Sequence, residues 1–234
     1  MDTPEITNVP YPTSRDIRNL LPFIPGIVAD GTGQVHVAGG ESWQTLYLLD
    51  GFDVRSPVGG LLAMRVSADA VRSIDAETTR YPVQYGRATG GVIAFQTGNG
   101  DNKFRFNATN FVPSFKSQKG LRFDKVVPRF TFSGPVVRDH PWFFDGLEVE
   151  YDNIFIPELP SGADSNHLLR GSNLLKLQSN AGATNSVSAG LLYNGYHSPY
   201  DTADHNNPVV HDQFADVIAA SAYAFAQQPF TPRP

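Results

Sequence analysis

The sequence contains no cysteine, which excludes disulfides, zinc–thiolate centres and thiol nucleophiles and leaves the redox compartment open. It is also short of charge: Asp, Glu, Lys and Arg make up 18% of the chain, against ~25% in ordinary soluble domains. Hydrophobic residues, at 41%, fall below the usual ~45–50%. The net charge is -5 and no Lys/Arg cluster stands out, so the footprint that nucleic acid requires is missing. No apolar run reaches the ~18 residues of a transmembrane helix. The start, Met1-Asp2-Thr3-Pro4-Glu5, is acidic and does not read as a signal peptide. That leaves a cytosolic protein or a piece of a longer chain.

What is abundant is Gly (21), Pro (18), Phe (16) and Tyr (9). Aromatics at 12% argue against disorder, and the shortage of helix formers argues against a bundle. Many short strands joined by turns fit this balance, and 234 residues suffice for one or two domains at ~150 residues each.

The two halves differ in texture, with a seam at Gly98-Asn99-Gly100-Asp101. Residues 1–12 hold three prolines and read as an extended lead-in. Thr13-Ser14 is placed to cap a helix over 15–21, whose Ile17, Leu20 and Leu21 share a face. Short strands are expected at 35–37, 45–49, 74–79 and 92–97, with one helical turn at 67–71. This alternation predicts a small α/β unit. The second half shows period-2 segments instead, at 104–112, 129–136, 147–152, 175–180 and 187–194, with a less clear one at 217–227. In 147–152, for example, Leu147, Val149 and Tyr151 oppose Glu148, Glu150 and Asp152. The connections expected between them alternate, long at 113–126, 157–170 and 197–214 and short at 138–141 and 182–185. Long loops alternating with short turns suit a transmembrane barrel, with apolar side chains toward lipid and polar ones toward a wet lumen. An ordinary antiparallel sheet with one solvated face is the alternative. In the barrel, Trp142, Phe143, Phe144, Tyr151, Phe155, Tyr193 and Tyr196 would stand in interfacial girdles.

Several stretches carry a resemblance. They are Leu20-Leu21-Pro22-Phe23-Ile24-Pro25-Gly26, Val35-His36-Val37-Ala38-Gly39-Gly40 and Tyr47-Leu48-Leu49-Asp50-Gly51. Ala70-Val71-Arg72-Ser73-Ile74 and Tyr85-Gly86-Arg87-Ala88-Thr89-Gly90-Gly91-Val92-Ile93 follow in order. Together they resemble the plug domain of TonB-dependent outer-membrane receptors, over residues 13–100. Ser133-Gly134-Pro135 and Trp142-Phe143-Phe144 are similar to the early barrel of the large receptors of this type, which usually carry an N-terminal carboxypeptidase-regulatory-like domain. In such a plug Gly51 permits the tight turn and Gly90-Gly91 a close backbone approach, expected against the barrel wall. The resemblance implies an α+β plug with a small mixed sheet, followed over 101–234 by about six strands of an incomplete transmembrane barrel, where the whole family member has about 22. Many siderophore receptors carry Arg where Ala38 stands, which turns the expected ligand toward a glycan or another large nutrient.

The resemblance also implies where a ligand would bind. Three plug apices present Glu41, Trp43 and Gln44; Asp53 and Arg55; and Arg65 and Asp69. Arg80 and Arg87 on the plug are expected to meet Glu148 and Glu150 on the barrel, which share one side of a strand. His197, Asp201, Asp204, His205, His211 and Asp212 gather metal-ligating types, but Pro199, Asn206, Asn207 and Pro208 make a solvated loop the expected reading. No catalytic motif, phosphate loop or cofactor fingerprint is present. The expected function is nutrient import across the outer membrane, with TonB, its inner-membrane energising complex, the ligand and outer-membrane lipid as partners. A soluble β-rich carbohydrate-binding protein is the alternative, and a β-rich hydrolase a more distant one.

Overall fold

In the computed structural model, which describes residues 1–9, 16–86, 88–117, 120–160, 164–180, 186–197 and 223–226, a helix stands where an extended lead-in is expected. Helix α1 covers Thr3–Asn8. The cause is a reciprocal cap: the Glu5 amide donates to the Asp2 carboxylate (3.2 Å) and the Asp2 amide to the Glu5 carboxylate (2.9 Å). Pro4 costs nothing in a first turn, whose amides lack helical partners. The chain divides into two compact units, Met1–Gly98 and Asn99–Pro234.

The first unit has two small sheets. Strands β1 (Ile27–Ala29) and β2 (Val35–Val37) form an antiparallel pair. Strands β3 (Thr45–Leu49), β4 (Phe52–Asp53), β5 (Val71–Glu77) and β6 (Gly91–Thr97) form a mixed sheet in the order β4-β3-β6-β5. β3 and β6 run parallel. All five residues of β3 are buried, the pattern of a strand covered on both faces. Asp50 and Gly51 both take positive φ (49° and 92°), giving the two-residue turn into β4 that matches strand twist. The Asp50 carboxylate accepts the Thr97 amide (2.9 Å) and its hydroxyl, and the Asp50 amide donates to the Phe95 carbonyl (2.8 Å). The turn is thus tied to the end of β6.

The expected helix over 15–21 is instead two 3-10 turns, Ile17–Asn19 and Leu21–Phe23. Pro22 lies inside the second turn rather than stopping a helix. Asp16 caps the first; Thr13 and Ser14 lie outside the described residues. Ile17, Leu20 and Leu21 are nevertheless fully buried. The turn at 67–71 is present as a 3-10 turn, Ala68–Ala70, capped by Ser67.

The second unit is all strand: β7 (Arg105–Thr109), β8 (Ser114–Ser117), β9 (Leu121–Val126), β10 (Arg129–Pro135), β11 (Trp142–Phe155), β12 (Ser165–Asn180), β13 (Ser186–His197) and β14 (Tyr223–Ala226). They pair in the order β14-β13-β12-β11-β10-β7, all antiparallel, and every step joins sequence neighbours except β10 to β7, which passes over β8 and β9. The β8–β9 hairpin joins through β9, which pairs with the end of β11 that β10 leaves free.

This corrects the expected connections. Residues 113–126 are mostly that hairpin and not a loop, and β11 and β12 extend until only 156–164 separate them. A register shift between Ser114 and Phe115 and the Val127-Pro128 break hide the period of 2 there. Strands β11, β12 and β13 have 14, 16 and 12 residues, more than the ~9–11 a tilted strand needs to span a bilayer.

The two faces of this sheet differ as the alternation predicts. On one, Phe106 and Phe132 are 67% and 40% exposed, and no second sheet covers them among the described residues. Phe104, Phe106, Phe130, Phe132 and Phe143 form a continuous ring cluster there, with centroids 5.0–6.5 Å apart. Gly134 admits the Phe104 ring, which a Cβ would meet at 2.3 Å. Asp145 is a polar exception on this face, and Asn173 donates to it (2.8 Å). The other face carries the row Thr109, Arg129, Glu148, Ser172 and Asn194, aligned by cross-strand register. Phe144, counted among the girdle aromatics, is a correction: it is buried on this polar face.

The segment that enters β7 is stitched to the β10–β11 turn. Asn102 donates to Asp139 (2.6 Å) and accepts from the Asp139 amide (3.0 Å) and the Trp142 indole (2.7 Å). At Gly100 a Cβ would lie 2.4 Å from the Phe143 carbonyl oxygen.

Gly91 offers a direct test. Its φ is +151°, and a Cβ would lie 2.7 Å from Val37 Cγ1 and 3.1 Å from the Glu77 carbonyl. Gly31 has nothing within 4 Å. Gly91→Ala is expected to lower the unfolding free energy of the full chain in detergent by about 2–4 kcal/mol, and Gly31→Ala by less than about 0.5 kcal/mol. Denaturant titration of the two variants measures the difference.

Candidate functional site

The first apex grows out of β2. Ala38 and Gly39 take positive φ (51° and 78°), and the Gly40 amide donates back to the Val37 carbonyl (2.9 Å). The chain then enters a 3-10 turn, Ser42–Gln44, closed by reciprocal capping between Glu41 and Gln44, with the Glu41 amide donating to Gln44 Oε1 (2.9 Å). The Gln44 carbonyl accepts the amides of Thr89 and Gly90, each at 3.1 Å. A Cβ at Gly90 would meet Gln44 Cβ at 3.1 Å. The close approaches that Gly90 and Gly91 permit are therefore to Gln44, Val37 and Glu77, inside the first unit.

Trp43 stands 56% exposed at the middle of this turn. The second apex is brought to it: a Cβ at Gly60 would lie 3.1 Å from Trp43 Cβ. The loop carrying Gly60 is closed by the Ser56 amide to the Leu61 carbonyl (2.8 Å) and the Gly60 amide to the Ser56 carbonyl (2.9 Å). At its base Arg55 forks onto Asp53, with Nε to Oδ1 at 2.9 Å and a terminal nitrogen to Oδ2 at 2.6 Å. An exposed aromatic plate can stack on a polar, ring-bearing molecule, and a fixed guanidinium–carboxylate pair can hydrogen-bond one.

The third apex goes elsewhere. Arg65 lies 3.9 Å from Asp16, which is buried and also holds Arg18 at 2.6 Å. Asp69 sits in the 3-10 turn Ala68–Ala70, its amide donating to Ser67 Oγ (3.4 Å). Sequence reading missed the Asp16 cluster because it took Asp16 for a first-turn helix residue and not for a cap.

It also missed the group beneath the first apex. Asp30 Oδ1 accepts the Thr32 amide (2.8 Å), the Thr32 hydroxyl (2.7 Å) and the Gln34 amide (2.9 Å). These bonds, the Thr32 hydroxyl first, hold the Asp30 carboxyl well below the usual carboxylate range. Gln34 Oε1 accepts the Ser42 hydroxyl (2.8 Å). His36 reaches the Gly40 carbonyl through Nδ1 (3.0 Å) and Asp30 Oδ2 through Nε2 (3.3 Å). The Asp-Gly-Thr-Gly turn is the signal that pointed to it.

In the second unit Glu148 and Glu150 are each 1% exposed on the polar face. Glu150 pairs with Lys125 and lies 3.6 Å from an Arg170 nitrogen, and Lys125 is 3.8 Å from Asp152. Arg80 is an exposed turn residue with φ 59°, and Arg87 lies outside the described residues. Among the described residues no group of three or more His, Asp or Glu could hold a metal ion. Of the His/Asp loop, residues 198–212 lie outside them.

A small mixed sheet followed by an antiparallel sheet with one apolar and one charged face is the fold of TonB-dependent outer-membrane receptors. No protein-family model matches the chain. The chain is 29% identical over 149 residues to the TonB-dependent transporter Oar of Myxococcus xanthus, covering 57% of this chain and 14% of Oar. Among solved structures, the siderophore receptor PirA of Pseudomonas aeruginosa aligns over 85% of this chain and 36% of its own, with 22% identity and a TM-score of 0.58. The outer membrane transporter YddB of Escherichia coli aligns over 86% of this chain and 33% of its own, with 16% identity and a TM-score of 0.61. The chain thus spans about a third of these structures' length and a smaller part of Oar.

His36 supplies a prediction. The Gly40 carbonyl first, then Asp30, raises its pKa above the ordinary 6.5. Because the folded value lies above the unfolded one, the stability His36 contributes is full below 6.5 and is lost as pH rises through the folded value. An NMR titration of the full chain is expected to place His36 above 6.5, and Asp30→Asn to bring it down.

Proposed function

We propose that the chain is the plug and opening barrel strands of a receptor in the outer membrane of a Gram-negative-type bacterium, which binds a nutrient outside and imports it actively. The observation that carries this is the sheet of the second unit, with exposed Phe on one face and buried Glu148, Glu150, Arg129 and Lys176 on the other. Those faces suit lipid and a wet lumen, whereas a soluble carbohydrate-binding protein would have to cover the Phe cluster. TonB, with its inner-membrane energising complex, would supply the work at the periplasmic side. Covalent chemistry has no part in this reading. The ligand is taken to be a glycan or another large polar nutrient. What supports this is exposed Trp43, with Glu41 and Gln44 in the same turn, packed against the Gly60 loop whose base carries the Arg55–Asp53 pair. Arg65 and Asp69 are retained as a separate contact area.

The test is uptake by the full-length receptor at matched surface expression. Loss of TonB is expected to abolish uptake, and Trp43→Ala to reduce ligand binding about tenfold, equivalent to ~1.4 kcal/mol. Binding unchanged in Trp43→Ala removes the apex from the ligand site.

Seating of Arg80 and Arg87 against Glu148 and Glu150 belongs to the same proposal. Arg87→Glu and Glu148→Arg are each expected to lower uptake and their combination to restore it. Losses that simply add would show that the two residues do not pair.

A further inference from the structure

His36 stands between two acceptors. Nδ1 faces the Gly40 carbonyl at 3.0 Å and Nε2 faces the Asp30 carboxylate at 3.3 Å. A neutral imidazole has one N–H and satisfies only one of them; the other nitrogen would then present a lone pair to an oxygen. Both contacts are hydrogen bonds only when the ring is a cation. The charged groups that face the ring among the described residues, Asp30 from the β1–β2 turn and Glu41 from the cap of the next turn, are both acidic and favour that cation.

What the ring joins gives the contact its consequence. Asp30 organises the β1–β2 turn through Thr32 and Gln34, and Gln34 holds the Ser42 hydroxyl next to Trp43. Gly40 is the backbone that leads into Glu41 and Trp43. We propose that His36 is a proton-operated clasp: as a cation it fastens the β1–β2 turn to the backbone entering Trp43, and as a neutral ring it lets the turn go. The Gly40 bond is the shorter and is retained by the neutral ring, so the Asp30 side opens. Trp43 is then steadied through Gln34 and Ser42 alone, without the ring's tie between Asp30 and Gly40. If Trp43 contacts the ligand, as the proposed function holds, affinity falls as pH rises. The clasp itself does not depend on that reading.

The experiment uses the full chain in detergent without ligand, so its outcome is separable from that of the uptake assay. Trp43 and Trp142 are the two tryptophans, and Trp142→Phe leaves Trp43 as the reporter. Its emission is expected to change in one step above pH 6.5, with the midpoint of the His36 imidazole measured by NMR. The step is expected to vanish in His36→Gln and to move to lower pH in Asp30→Asn. Flat emission in the parent, or a step that persists in His36→Gln, overturns the proposal. Should His36→Gln fail to fold, Asp30→Asn decides, and an unchanged midpoint overturns it.

Discussion

Along β11, β12 and β13 a side chain can take only one of two faces, and a slip of one residue in pairing would exchange them. With Glu148 and Glu150 on one face and Leu147 and Tyr151 on the other, such a slip would bury Leu beside Lys125 and expose two carboxylates among phenylalanines. The register is therefore held by the cost of the wrong arrangement as much as by the ladder. The row from Thr109 through Arg129, Glu148 and Ser172 to Asn194 shows the result. Asp145 departs from the rule, and Asn173 meets the need it creates.

The first unit depends on the meeting of β3 and β6. Parallel strands cannot be joined by a tight turn, so the chain leaves β3 at Asp50-Gly51 and returns only after β4 and β5. Asp50 holds the end of β6 through Thr97, and Gly91 lets the start of β6 pass Val37. The stretch just before β6 rests on Gln44, so the turn that presents Trp43 is braced by Thr89 and Gly90.

Much of this was legible. Strands 35–37 and 45–49 stand where periodicity and turn residues put them, as do the polar and apolar faces of 147–152 and 175–180. The hairpin in 113–126 was not legible, because a register shift and Val127-Pro128 break the alternation that would reveal it. α1 was hidden by the prolines in and after it, Pro4, Pro10 and Pro12, although Asp2 and Glu5 stand at capping-box spacing. At the site, residue type and motif order found Trp43, Asp53 and Arg55. They could not find that Gly60 would bring the second loop against Trp43, or that Arg65 would turn to Asp16, because both depend on contacts distant in sequence.

Asn102 has a mechanical meaning. Tension entering the second unit at Asn99 meets, before β7, an amide side chain held by three hydrogen bonds to Asp139 and Trp142, and a backbone wedged at Gly100 against Phe143. A force along the chain must break these bonds before it reaches β7. The β7–β10 ladder is thereby shielded from any pull that arrives along the chain.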